Sequence, residues 1–242
     1  MSGLTMTLNP LRTLRRRRTA GRRHEGRYSA EFGAIVDTAM RFIAAPPALS
    51  ETFVRYPHRK ASDAMLTGER GALSQHVIYG LARTLGFRDY LEVGTRFGYS
   101  IGAVLAGSRR VDRAVTIDPF VDHDHTRANL ATLGRDDVSV EYVNHPSREF
   151  DTDKKFDAVY VDGDHTYEVA RDDMVQYWAY VRPGGLMLID DTINERIDAR
   201  VRRDLIGVRW AAEDFVKSVK DVAGVVLDLP TYSGFGIIQK RG

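Results

Sequence analysis

The sequence predicts an α/β fold in which a doubly wound, mostly parallel sheet is covered by helices. Two observations lead to this prediction. Between residues 90 and 239, seven short apolar runs are separated by helical or loop segments, and such runs are typical of strands buried on both faces of a parallel sheet. The last two runs are joined by a turn at residues 230–234, which predicts one antiparallel strand near the sheet edge.

The elements are predicted in chain order from apolar spacing. Helices are expected over 30–44, which ends before Pro46-Pro47, and over 71–85. The predicted strands are 90–93, 114–117, 138–143, 156–161, 186–189, 222–227 and 235–239. Between the strands, helices are predicted to begin near residues 100, 124 and 166, and a charged helix is predicted over 195–218.

The length and composition are those of one sizeable α/β domain. A chain of 242 residues with 43% hydrophobic and 28% charged residues is ordinary for a globular protein, and every apolar run is shorter than the ~20 residues of a membrane span. Because the chain has no cysteine, disulfides, thiolate metal sites and a cysteine nucleophile are excluded. This composition fits a reducing compartment, so we expect a cytoplasmic protein without membrane partners.

Three segments are predicted along the chain: a basic, flexible arm at 1–28, a helical extension and lid at 29–68, and the main domain at 69–242. The arm holds eight arginines and one glutamate, so the net charge of +2 leaves about −5 for the remainder. No apolar segment follows the arginines closely enough for a signal peptide. Contact with nucleic acid or another acidic surface, or between copies of the chain, stays open for the arm.

A glycine motif follows the first predicted strand, where residues 92–100 read EVGTRFGYS. Gly94 allows a sharp turn, and Gly98 allows a ligand or strand to approach the backbone of the next helix. The spacing G-x-x-x-G lacks the paired glycines of the dinucleotide fingerprint. By itself the motif leaves open a ligand-binding turn or an ordinary tight turn.

Asp118 ends the second predicted strand, 24 residues after Gly94. A carboxylate at this place can accept hydrogen bonds from the two hydroxyls of a ribose. Because no arginine or lysine lies beside Asp118 to bind a phosphate, the pattern favours an unphosphorylated adenosine. The alternative is an exposed loop acid.

Carboxylates also follow the next strands, with Asp162 after the fourth and Asp190-Asp191 after the fifth. The carboxyl ends of parallel strands share one sheet edge, where ligands bind, so we expect these aspartates to converge. Oxygen ligands without a thiolate favour Mg²⁺ or Ca²⁺ over zinc, and His165 is a candidate general base. The alternatives are helix caps at Asp164 or Asp191 and a structural hydrogen bond at His165.

Together these features resemble class I S-adenosylmethionine-dependent methyltransferases, closest to the small cation-dependent O-methyltransferases of the catechol and caffeoyl-CoA type. Residues 92–100 resemble that family's first motif, E-L/I-G-x-x-x-G-Y-S. The separation of Gly94 from Asp118, and the order Asp162 then Asp190-Asp191 after 28 residues, match its cofactor and metal positions. Residues 64–68 resemble its lid, so the resemblance covers residues 65 to 192.

Two positions depart from that family. His165 stands where the catechol and caffeoyl-CoA enzymes have a catalytic lysine, and Asp191 stands where they have asparagine. The form DGDHTY at residues 162–167 instead resembles bacterial methyltransferases of secondary metabolism, including macrolide-sugar O-methyltransferases that bind a metal through three aspartates. Beyond residue 193 the sequence matches none of these families' substrate-binding segments, so the resemblance does not imply the acceptor.

The resemblance implies a Rossmann-like fold, the cofactor S-adenosyl-L-methionine and Mg²⁺. The implied metal ligands are Asp162, Asp190 and Asp191, and the implied catalytic residues are His165, as the base, and Asp162, as a substitute base. Ser147 follows the third strand and is expected near the adenine. The full set of implied cofactor-binding residues is Met65, Thr67, Glu92, Gly94, Thr95, Gly98, Tyr99, Ser100, Asp118, Ser147 and Asp162.

The expected acceptor is a hydroxyl of a small molecule. A vicinal diol on a sugar or a phenolic ring is the leading expectation, because a cation chelates two adjacent oxygens well, and it suggests antibiotic biosynthesis or other secondary metabolism. The alternatives are an RNA methyltransferase that uses the arginine arm and a non-catalytic scaffold that binds the cofactor. A homo-oligomer is compatible with the sequence.

Overall fold

A computed structural model describes residues 29–46, 73–120, 123–192 and 207–242. The predictions for the arm at 1–28, for the lid residues Met65 and Thr67, and for the first half of the helix over 195–218 lie outside these residues. Of the helices within the described ranges, none has the length and apolar character needed to cross a bilayer.

One mixed sheet organises the described residues. Its strands are β1 (Asp89–Val93), β2 (Arg113–Ile117), β3 (Ser139–Val143), β4 (Phe156–Val161), β5 (Val181–Asp190), β6 (Val222–Leu229) and β7 (Phe235–Lys240). Their spatial order is β3-β2-β1-β4-β5-β7-β6. The first five pair in parallel, and β7 is antiparallel to both β5 and β6. The predicted α/β sheet of seven strands with one antiparallel strand is therefore confirmed.

The strand order reverses between β1 and β4. From β1 the chain moves outwards to β2 and β3, and it then returns to β4 on the other side of β1. In open α/β sheets, ligands bind beyond the carboxyl ends of the strands at such a switch point. We therefore expect a ligand site at the segments that follow Val93 and Val161.

Helices cover both faces of the sheet. They are α1 (Ala30–Ala44), α2 (Leu73–Leu85), α3 (Tyr99–Gly107), α4 (His123–Ala131), α5 (Tyr167–Trp178) and α6 (Val208–Ser218). Helices α1 to α4 contribute to one apolar cluster, and α5 and α6 contribute to a second. The predicted N-terminal helix has the predicted bounds, and Ser29 caps it by accepting a hydrogen bond from the Phe32 N–H at 3.1 Å.

Successive strand residues alternate between the two clusters. Tyr90 and Ala158 belong to the cluster of α1 to α4, whereas Leu91 and Val159 belong to the cluster of α5 and α6. All four side chains are fully buried. The strand sequences are continuous apolar runs because a layer of helices covers each face of the sheet.

The start of β5 differs from the prediction. The sequence predicts a strand over 186–189, but the structure begins β5 at Val181. A register irregularity lets Val181 pair with Phe156 before the regular ladder resumes, and Gly184 has a φ of +77° within it. The Pro-Gly-Gly sequence that marks a turn is thus part of a bulged strand.

The start of α6 also differs, because residue 207 precedes the helix instead of lying inside it. A Cβ at Gly207 would collide with the backbone of Tyr167. The Gly207 N–H donates to the carbonyl oxygen of His165 at 2.8 Å. The beginning of α6 is therefore fastened to the segment between β4 and α5.

The α6 contact with the core gives a stability prediction. Phe215 is fully buried, and its ring lies 5.5 Å from that of Trp178. We expect Phe215→Ala to lower the free energy of unfolding by about 3–5 kcal/mol, because it removes buried area and leaves a cavity. Urea denaturation followed by circular dichroism measures this. The control Val175→Ala, at a side chain that is 47% exposed, should change it by less than about 0.5 kcal/mol.

Candidate active site

The ends of β1 and β4 touch through their backbones. The Asp162 N–H donates to the Val93 carbonyl oxygen at 2.9 Å, and a Cβ at Gly94 would collide with the Asp162 carbonyl oxygen. Gly94 also has a φ of +91°, which side-chain-bearing residues rarely adopt. The glycine turn after β1 and Asp162 after β4 therefore lie in contact at the carboxyl edge of the sheet.

Glu92 lies below this turn and is fully buried. Its carboxylate accepts hydrogen bonds from Ser100 Oγ at 2.6 Å, Thr116 Oγ1 at 2.7 Å and Tyr90 OH at 3.1 Å. Burial raises the pKa of Glu92 to about 7, although these hydrogen bonds oppose the rise. The predicted cofactor residues Glu92 and Ser100 thus form an internal network that joins β1, β2 and α3.

The glycine turn leads directly into α3. Gly98 precedes the helix with a φ of +77°, and a Cβ there would come within 2.7 Å of Thr126 Cγ2 on α4. Thr95 is buried and hydrogen-bonds Thr116 through their hydroxyls. Tyr99 begins α3 with its ring edge toward Phe97. These contacts fix the predicted cofactor segment at the carboxyl end of β1.

Asp118 lies at the same edge, directly after β2. Its two carboxylate oxygens accept hydrogen bonds from the Arg96 N–H and the Phe120 N–H, both at 2.9 Å. Each oxygen keeps a further lone pair, because a carboxylate offers about four acceptor positions. The carboxylate is therefore held beside the glycine turn and can still accept from a ligand hydroxyl.

Ser147, the predicted residue near the adenine, follows β3 in a short 3₁₀ turn, Ser147–Glu149. Its hydroxyl donates to Asp173 Oδ1 on α5 at 2.6 Å. The side chain is half-buried. It therefore lies between the interior and the edge where the strands end.

Three side chains converge beyond β4 and β5. Asp162, His165 and Asp191 each offer one ligand atom, and these atoms lie within 4.8 Å of one another. His165 Nδ1 is 3.1 Å from Asp191 Oδ2, and His165 Nε2 is 3.7 Å from Asp162 Oδ1. The side chains are 32%, 43% and 24% exposed for Asp162, His165 and Asp191. We call these three residues the acidic cluster.

Asp190, predicted as a third metal ligand, is placed differently. Its Oδ1 accepts from Ser74 Oγ at 3.0 Å, Ser233 Oγ at 3.1 Å and the Asp191 N–H at 2.9 Å. Its Oδ2 accepts from Tyr160 OH at 2.8 Å. With four donors around it, Asp190 ties α2, β4 and the turn before β7 together, and it is not among the three converging residues.

The negative charges at this edge shift two pKa values. The Asp162 carboxylate, and after it the charge on Asp191, raise the pKa of His165 to about 9, although partial burial opposes the rise. Burial, followed by the charges of Asp162 and Asp191, raises the pKa of Asp190 to about 7. The rise at His165 has the direction expected where neighbouring carboxylates favour a positive charge, whereas the rise at Asp190 comes first from burial.

The residues fit a divalent cation and a nucleoside-bearing cofactor. Two carboxylates and an imidazole within 4.8 Å form a donor set for a hard or borderline cation. Asp191 has a φ of +56°, a strained conformation that turns the chain at the cluster. Beside it, the glycine turn lies at the carboxyl end of β1, where ligands bind in such sheets, and Asp118 presents acceptors for a diol.

Comparison with known proteins agrees with this geometry. Residues 91–192 match the family model described as a methyltransferase domain. This segment runs from β1 to the residue after Asp191, so it contains the glycine turn, Asp118 and the acidic cluster.

Individual proteins show the same relationship at low sequence identity. The uncharacterized protein R132 of Acanthamoeba polyphaga mimivirus is 25% identical over an alignment of 150 residues, and the alignment covers 57% of this chain and 67% of R132. The S-adenosylhomocysteine-bound methyltransferase PaMTH1 of Podospora anserina has a TM-score of 0.59 at 19% identity, covering 100% of both chains. The O-methyltransferase TomG of Streptomyces achromogenes, solved with S-adenosylmethionine, has a TM-score of 0.57 at 21% identity, covering 85% of this chain and 96% of TomG.

The fold and the matched segment agree with each other. Residues 91–192 match a methyltransferase domain, as the sequence predicts, and the seven-stranded sheet has the fold of methyltransferases solved with S-adenosylhomocysteine or S-adenosylmethionine.

Sequence reasoning missed the residues that support the site from below. Tyr160 is fully buried, and its hydroxyl lies 2.8 Å from Asp190 Oδ2 and 3.2 Å from Asp162 Oδ2. One signal was available, since Tyr160 and Asp162 are two residues apart at the end of a strand and share a side of the sheet. No local pattern identifies Ser74 and Ser233, which reach Asp190 from distant positions.

The buried Glu92 predicts a pH-dependent stability. A carboxyl whose pKa rises from 4.5 to about 7 on folding binds a proton on folding, so its contribution to stability is present below 4.5 and is lost as the pH rises to about 7. We expect the free energy of unfolding of the wild type, relative to Glu92→Gln, to fall by roughly 3 kcal/mol between pH 4.5 and 8. Urea denaturation at several pH values measures the difference. A difference that is constant over this range would contradict a raised pKa.

Proposed function

We propose that the protein transfers the methyl group of S-adenosylmethionine to a hydroxyl oxygen of a small molecule, with a divalent cation, Mg²⁺, at the acidic cluster. The observation that carries this proposal is the direct contact between the glycine turn and the acidic cluster. Because Gly94 lies against the Asp162 carbonyl oxygen, a cofactor at the turn and an acceptor at the cluster would be neighbours.

The cofactor-binding roles follow from where each side chain lies. The backbone between Gly94 and Gly98 would lie against the cofactor, since this turn follows β1 at the carboxyl edge of the sheet. Asp118 would accept from the ribose hydroxyls, and Ser147 would lie at the base. Glu92, Ser100 and Thr95 would support the turn through their buried hydrogen bonds, and Tyr99 would lie at the start of α3.

The reaction is a single displacement. Bound at the glycine turn, S-adenosylmethionine would supply a methyl group on a sulfonium, and the C–S electron pair would leave with sulfur as the O–C bond forms. A hydroxyl proton must be removed in the same process. Holding the two reactants in line supplies much of the rate, on the order of 7–11 kcal/mol for ideal positioning.

His165 is the proposed acceptor of the hydroxyl proton, with Asp162 as a substitute. Its ring is 43% exposed and lies between the two carboxylates of the cluster. His165 can accept a proton only when it is neutral, and the negative charge of Asp162 and Asp191 favours its charged form. A cation bound by Asp162 and Asp191 would oppose this effect and favour the neutral form of His165.

The metal ligands that we propose are Asp162 and Asp191, which the structure brings together. Asp190 contributes negative charge, and through its hydrogen bonds it positions Asp191 and Tyr160. A cation held by carboxylates favours oxygen ligands, which supports a hydroxyl acceptor and, more specifically, a vicinal diol on a sugar or phenolic natural product. TomG, which shares the fold, is an O-methyltransferase of tomaymycin synthesis.

Cation binding is the direct test of this proposal. We expect Mn²⁺, used as a probe and followed by electron paramagnetic resonance, to bind the wild type. Asp162→Asn and Asp191→Asn should each weaken binding by about tenfold or more, because each removes a charged ligand. Asparagine tolerates the left-handed backbone at position 191. Asp164→Asn is the matched control, since Asp164 lies in the same loop, is exposed, and accepts from the Thr166 N–H instead.

Activity completes the test. Formation of S-adenosylhomocysteine against a panel of hydroxylated metabolites should be lost in EDTA and restored by Mg²⁺; full activity in EDTA would remove the cation from the mechanism. His165→Ala should lower kcat while Mn²⁺ binding persists. An unchanged kcat would remove the base assignment, and loss of Mn²⁺ binding would make His165 a ligand.

A further inference from the structure

Asp173 is a buried carboxylate that the proposed reaction does not use. It lies on α5, is 3% exposed, and accepts a hydrogen bond from Ser147 Oγ at 2.6 Å. A Cβ added to Gly163 would lie 3.5 Å from Asp173 Oδ2. Asp173 therefore lies beneath two segments of the site edge, the one that follows β3 and the one that follows β4.

Two neighbours on α5 hold the same segment. Tyr177 OH donates to the Ser147 carbonyl oxygen at 2.9 Å. Gln176 Nε2 lies 3.2 Å from the Ser147 carbonyl oxygen and 2.7 Å from that of Phe150. Gln176 and Tyr177 thus hold the backbone at Ser147. The hydrogen bond to Asp173 instead involves the Ser147 hydroxyl, and it sets the direction of that hydroxyl.

The direction follows from proton counting. A serine hydroxyl has one hydrogen to donate and two lone pairs that accept, whereas an ionised carboxylate only accepts. Burial raises the pKa of Asp173 to about 6, so the group is ionised at pH 8. At that pH the hydroxyl hydrogen points to Asp173, and Ser147 presents only lone pairs to a ligand.

We propose that Asp173 is a positioning residue that holds Ser147 as a hydrogen-bond acceptor and thereby selects a cofactor whose base bears an exocyclic amine. The inference rests on the proposed function, which places the cofactor base at Ser147. The 6-amino group of adenine donates to such an acceptor. The 6-keto oxygen of hypoxanthine cannot, and it faces the Ser147 lone pairs instead. A polar group left without its partner in a binding site lowers affinity strongly.

The test compares two ligands by isothermal titration calorimetry at pH 8: S-adenosylhomocysteine and its deaminated analogue S-inosylhomocysteine. We expect the wild type to prefer the adenine ligand by about tenfold or more. Asp173→Ala frees the hydroxyl to donate, so the preference should fall to within about threefold. Asp172→Ala, at an adjacent carboxylate that is 78% exposed, is the matched control and should behave as the wild type.

The ratio of the two affinities separates positioning from mere support. If Asp173 only supported the loop, both ligands would weaken together and the ratio in Asp173→Ala would equal that of the wild type, which would overturn the inference. Ser147→Ala provides a second arm should Asp173→Ala not fold, and it too must lose the preference. A wild type that binds both ligands equally would refute the inference alone, whereas one that binds neither would refute the proposed function as well.

Discussion

The contact between Gly94 and Asp162 is the constraint on which the site depends. The ends of β1 and β4 approach so closely that a Cβ at position 94 would overlap the Asp162 carbonyl oxygen. Only glycine combines this approach with a φ of +91° at low cost. The sheet order that makes β1 and β4 neighbours thus also makes the glycine turn and the acidic cluster neighbours.

Carboxylates with raised pKa values are a second feature of this edge. Glu92 and Asp190 are each surrounded by hydroxyl donors, and burial raises the pKa of both to about 7. Ionised carboxylates in such surroundings are unfavourable unless they are hydrogen-bonded or paired with positive charge. The hydroxyls of Ser100, Thr116 and Tyr160 meet part of this need. The acidic cluster is more exposed than Glu92, and it brings three possible cation ligands within 4.8 Å of one another.

The sequence predicts most of the fold and the outline of the site. Continuous apolar runs mark strands covered on both sides, and Gly94, Asp118 and Asp162, which follow three of these runs, all lie at the carboxyl edge of the sheet as the sequence predicts. Contacts between distant segments are beyond such patterns. Ser74 reaches Asp190 across 116 positions, and Ser147 meets Asp173 across 26. These partners depend on how helices pack on the sheet, so the sequence did not predict that Asp190 also accepts hydrogen bonds from Ser74 and Ser233.

The central claim is that the glycine turn and the acidic cluster form one site. Anomalous diffraction from crystals grown with S-adenosylhomocysteine and Mn²⁺ tests this claim most directly, because it locates both groups in one experiment. The account predicts the nucleoside beside Gly94 and Asp118, with a manganese peak within bonding distance, about 2.0–2.3 Å, of oxygens from Asp162 and Asp191. Manganese bound elsewhere, or a nucleoside away from the glycine turn, would contradict it.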